Sequence, residues 1–214
     1  MRTIKILFGV LFFVTMTGCE KYFFSVYKPH FEDSVPRKDE SAGTLTYQQK
    51  NPTTKKDFEI DFVSFNGLIQ DNISKKYCKF YYVQENNELN IVMTFSELQG
   101  EYEYTEGDIY YELDNGFFKE ITDIEKLKNG RSFYKANLGK SMYTEMIEYT
   151  TNNVNSYNYN VSNLIYDVTK LKFVMMFKTK SKQEYAVFAV HPVNKNNSIN
   201  ETNTFGYDAG TLYP

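Results

Sequence analysis

The chain has 214 residues and a formal charge of −3, from 24 Lys and Arg against 27 Asp and Glu. That balance argues against a general nucleic-acid binder, which needs a basic face. Aromatic residues reach 17%, all of them Tyr and Phe, but Asn and Lys are also abundant, and such a bias carries no function by itself.

Residues 1–18 have the parts of a secretory leader. Arg2 and Lys5 form a short positive region, Ile6 to Val14 is almost wholly apolar, and Thr15, Thr17 and Gly18 are small or polar. The apolar run is about half of the ~20 residues that a membrane-spanning helix needs. Glu20 and Lys21 then place charges where the second half of a span would lie.

Met16-Thr17-Gly18-Cys19 resembles the lipobox of bacterial lipoproteins, with Met16 where the pattern prefers Leu or another aliphatic residue. The resemblance covers only the first 20 residues. It implies cleavage before Cys19 and diacylation of that cysteine, hence a protein of the bacterial cell envelope facing away from the cytoplasm. Two acyl chains anchor a protein stably where one holds it only marginally. Removing residues 1–18 leaves about 196 residues and a charge of about −5, enough for one domain and too few for two comfortable ones. Cys78 would be the one cysteine left, so no internal disulfide is available.

Residues 19–43 read as a lipidated N-terminus and tether. Tyr22, Phe23, Phe24, Tyr27 and Phe31 could dip into the bilayer interface or form a first strand. Glu32 to Gly43 is polar, contains Pro36, and carries too little apolar surface to order itself.

From residue 44 to 193 the dominant period is two. Phe58, Ile60 and Phe62 alternate with Asp57, Glu59 and Asp61. Tyr77–Gln84 and Glu88–Phe95 predict a hairpin through Glu85-Asn86-Asn87, and Tyr102 and Tyr104 alternate with Glu101 and Glu103 as another strand. Ile109–Leu113 and Phe117–Ile121 flank Asp114-Asn115-Gly116, whose last two residues suit the positive φ angles of a type I′ turn. A helix is predicted after them, with Thr122 and Glu125 as a capping box and Gly130 closing the end.

Leu138–Thr150 fits helix or strand, with a lean toward a helix from Ser141. Asn152–Asn160 reads as a polar loop. Leu171–Phe177 and Tyr185–Val190 predict a hairpin near the centre of the sheet, and 194–214 reads as a loop or poorly ordered tail. The expected fold is mainly β, an antiparallel sandwich or partly closed barrel with one or two short helices.

The sequence offers little chemistry. No P-loop, Gly-x-Ser-x-Gly or Gly-x-Gly-x-x-Gly motif is present. His30 and His191 lack ligand spacing, so no metal site and no cofactor are expected. Cys78 with His191 as base has the order of papain-like cysteine peptidases, but Cys78 falls inside a strand rather than at a helix N-terminus that would lower its pKa. Glu101, Glu103, Glu106 and Asp108 are acidic enough to hold Ca²⁺ but lack the EF-hand order. The Asn-x-Ser/Thr triplets at Asn72, Asn160, Asn196 and Asn200 follow from abundant Asn.

A binding surface would draw on Tyr102, Tyr104, Tyr157 and Tyr159, since tyrosine pairs an apolar ring with a polar tip. Asn155, Asn158 and Asn160 lie near them in the sequence. The leading expectation is a non-enzymatic binding or assembly module for a protein or glycan, held to a membrane through Cys19. A carrier enclosing an apolar ligand in a curved sheet is the second, and a Cys78–His191 hydrolase the third. A filled core would favour the first and a large apolar cavity the second.

Overall fold

The computed structural model describes residues 33–100, 103–164, 168–180, 182–196, 205–208 and 211–213. Their strands form two antiparallel sheets packed as a sandwich, without barrel closure among the described residues. The first sheet has the order β1-β10-β9-β8-β2, with β1 Asp33–Pro36, β2 Asp57–Asp61, β8 Val168–Lys180, β9 Gln183–Asn194 and β10 Phe205–Asp208. The second has the order β11-β7-β3-β4-β5-β6, with β3 Tyr77–Glu85, β4 Glu88–Ser96, β5 Tyr110–Asp114, β6 Phe117–Glu120, β7 Met146–Thr150 and β11 Thr211–Tyr213.

The expected hairpins form for local reasons. Glu85 pairs with Glu88, so β3 and β4 turn through Asn86 and Asn87 at φ 49° and 66°. Asn115 and Gly116 do the same between β5 and β6 at 50° and 88°. Positive φ at both turn residues matches the twist of the flanking strands. The β8–β9 hairpin lies in the middle of its sheet, as its apolar runs predict.

Alternation then sorts the side chains. Phe80 of β3, Phe173 of β8 and Phe188 of β9 meet between the sheets, with ring centroids 5.2–6.0 Å apart. Phe65, Phe118 and Tyr149 also pack on Phe80. Each outer face carries a helix. Helix α1, Arg37–Lys50, lies against β8, where Gly43 meets Met176 and Phe177. Oε1 of Glu40 on α1 lies at hydrogen-bond distance, 2.7 Å, from Nε2 of His191 on β9. Helix α3, Ile124–Ala136, packs on β3, and Leu127 joins Tyr81, Val83, Val92, Tyr110 and Met146 in a second, smaller core. Helices α2 (Phe62–Asp71), α4 (Gly139–Met142) and α5 (Thr151–Leu164) complete the described set.

Several expectations are corrected. Residues 33–43 are not tether but β1 and the first half of α1, where Glu40, Gly43, Thr44 and Tyr47 form the covered stripe. Phe62 leaves the strand because Asp61 caps α2 by accepting from Ser64 N at 2.8 Å. Residues 103–109 form no strand.

The cap of α3 is Asp123, not Thr122, and accepts from the amides of Glu125 and Lys126. The helix runs through Gly130 because that glycine faces Val83, 3.4 Å from where a Cβ would sit. Residues 146–150 are strand, held between β3 and β11. Residues 152–160 are helix, since Val154, Tyr157, Asn158 and Val161 bury one face at helical spacing. The expected tail contains β10 and β11, one in each sheet. Among the described residues five helices therefore stand where one or two were expected.

Candidate functional site

A concave surface between α3 and the second sheet is built by both type I′ hairpins. Two adjoining depressions of about 470 and 450 Å³ share Glu85, Glu112, Ile121 and Lys126, and each is of a size that small ligands or side chains occupy. Strand alternation sends Val83 and Val92 outward to the floor, and the helical turn from Leu127 to Phe133 supplies a wall. Phe133 stays 44% exposed.

The rim is acidic. Carboxylates of Glu85, Glu112, Asp114, Glu120 and Asp123 outnumber the ammonium groups of Lys119 and Lys126. Lys126 Nζ stands 2.8 Å from Glu112 and 3.2 Å from Glu85. Its hydrogen bond to Glu112 raises its pKa above the usual lysine value. Lys119 pairs with Asp114 at 2.6 Å, and Asp123 is occupied as the α3 cap.

Asn90 lines the second depression on the same face as Val83, while Gln84 stands opposite Leu89 on the inter-sheet face of β3. Asn90 donates its amide to the Leu113 carbonyl at 2.9 Å. Its Oδ1 and the Oε1 of Gln84 are buried without a hydrogen-bond partner. Buried acceptors of this kind are uncommon and call for explanation.

A second polar cluster lies beside the groove on the same face. Lys79 and Glu148, directly paired across β3 and β7, are buried with their charged groups 3.8 Å apart. Gly100 N donates to Glu148 at 2.9 Å, Lys135 bridges Glu145 at 2.7 Å and Glu103 at 3.5 Å, and Arg131 sits 4.6 Å over the Tyr81 ring. Tyr104 packs on Tyr110, whose hydroxyl accepts from Thr105 N. Burial pushes the Tyr81 and Tyr110 phenols above their usual range. These contacts hold the segment before β5 onto the sheet.

The tyrosines singled out in the sequence do not form one face. Tyr104 belongs to the cluster just described. Tyr157 is 4% exposed in the inter-sheet core, while Tyr159 is 67% exposed on α5. Cys19, Tyr102 and the side chain of Asn160 lie outside the described residues. Asn155 bonds to Gln70 of α2, and Asn158 is fully buried.

Cys78 is buried in the inter-sheet core, and burial pushes its thiol far above the usual range, the opposite of an activated nucleophile. His191 faces α1 on the other side of β9, so the structure does not bring the two together. Among the described residues no group of three metal-ligating side chains converges.

The groove itself was missed because its acids come from separate strands and a helix. The one local sign was the placing of Glu85 and Asp114 at the ends of hairpin strands. No protein-family model, no curated protein and no solved structure matches the chain.

Proposed function

We propose that the protein is a lipid-anchored envelope lipoprotein whose β-sandwich is a non-enzymatic module for binding or assembly with a protein or glycan partner. The anchor rests on the Met16-Thr17-Gly18-Cys19 sequence. The binding role rests on one observation, the packing of Phe80. Its ring is surrounded by Phe65, Phe118, Tyr149, Phe173 and Phe188. Side chains occupy the space where a carrier would hold an apolar ligand, which favours recognition on the outside.

Two measurements test this reading. Palmitate should label the wild type and not Cys19→Ser; label retained by the variant would remove the anchor. A photo-crosslinking residue placed in cells at exposed Asn129, Leu45 or Tyr159 should yield a discrete adduct from at least one position. No adduct from any of the three would overturn the binding role.

A further inference from the structure

We propose that the groove between α3 and the two type I′ hairpins docks a cationic, partly apolar peptide segment of a protein partner. The proposal rests on the binding-module reading and deepens it.

Charge comes first. The rim carboxylates exceed the rim cations, so the groove repels anionic lipid headgroups and nucleic acid and attracts Lys or Arg. Lys126 already shows the geometry that such a cation would take. Its ammonium lies within 3.2 Å of two carboxylates, on a side chain that is itself 45% exposed.

The second observation is independent of charge. Asn90 lines the groove on the same face of the sheet as Val83 and Val92, and its carbonyl oxygen is buried without a donor. An acceptor without a donor, beside carboxylates that accept only, favours a ligand rich in N–H groups. An ammonium or guanidinium group meets that demand.

The helical wall supplies the rest. Leu127 and the half-exposed ring of Phe133 give apolar contact beside the acidic rim. Polyamines would satisfy the acids and leave this apolar wall uncovered. A peptide alternating basic and apolar residues covers both, because successive side chains of an extended chain point to opposite faces.

The test uses the full lipid-anchored chain in detergent micelles and fluorescein-labelled decapeptides of alternating Lys-Val, Lys-Ser and Glu-Val. Lys-Val should bind saturably, more tightly than Lys-Ser, and with affinity that falls as salt rises. Glu112→Gln combined with Glu120→Gln should weaken it about tenfold, while Glu97→Gln, just past the far end of β4, should change it less than about twofold.

Equal binding of Glu-Val, equal loss in the groove and control variants, or no saturation by about 1 mM Lys-Val would overturn the proposal. Failure of the peptides with a surviving cross-link at Leu45 or Tyr159 would sink the groove alone. Loss of every cross-link would sink the binding role itself.

Discussion

Gly43 of α1 and Phe177 of β8 approach so closely that a Cβ on the glycine would lie 2.4 Å from the Phe177 carbonyl oxygen. The same atom would be 2.8 Å from Met176 Cε. A methionine tip can move, but a strand carbonyl cannot. This contact sets how near α1 comes to the sheet.

In an ordinary helix interior, Gly→Ala gains about 1 kcal/mol. Here overpacking against backbone costs about 1–3 kcal/mol or more and outweighs that gain. Gly43→Ala should therefore lower the urea midpoint at unchanged slope. A raised midpoint would show that α1 does not sit as described.

The buried Lys79–Glu148 pair predicts strong coupling. Lys79→Met leaves a carboxylate buried beside the Gly100 amide, and Glu148→Leu leaves an ammonium buried. Each single change should cost about 3–5 kcal/mol, and the double variant clearly less than their sum. Additive losses in a denaturation cycle would mean that the pair does not interact.

Stability should fall in alkali. The Cys78 thiol is raised from an ordinary value of 9.0 by burial, so above that pH the unfolded chain sheds a proton that the folded chain keeps. The contribution is complete below pH 9.0 and declines as pH rises past it. Tyr47, Tyr81 and Tyr134, raised from 10.0 mainly by burial, steepen the decline. Each such proton is worth about 1.4 kcal/mol per pH unit. Urea midpoints should show this, with Cys78→Ala flattening the first part of the fall; an unchanged curve for that variant would contradict the assignment.

Tyr157 and Tyr159 separate core from surface within one helix. Tyr157→Ala should cost about 3 kcal/mol, as buried aromatic truncations do. Tyr159→Ala should stay within about 0.5 kcal/mol. Equal melting temperatures for the two variants would place α5 wrongly.

By itself, the sequence determined the features that depend on neighbours along the chain. Asn86-Asn87 and Asn115-Gly116 tolerate positive φ wherever they sit, so both tight hairpins were legible. The period-two runs of β2, β3, β4, β8 and β9 announced an antiparallel β fold for the same reason. The Met16–Cys19 pattern, read as an anchor, is likewise local.

Tertiary structure decided the rest. Helix α1 buries Gly43 and Tyr47 within a stripe that also contains Glu40 and Thr44, which looks like a solvated segment until His191 and the β8 backbone lie opposite. Helix α5 buries Asn158 beside Val154, Tyr157 and Val161, so its stripe was hidden by polar composition. Strands β10 and β11 take their partners from β9 and β7, pairings between sequentially distant segments that no short-range rule foresees. The candidate groove is of this kind too. Glu85, Glu112 and Glu120 become neighbours of Lys126 only when β4 pairs with β5 and α3 folds back over β3, because sheet register and helix packing, not spacing in the sequence, set the distances between charges.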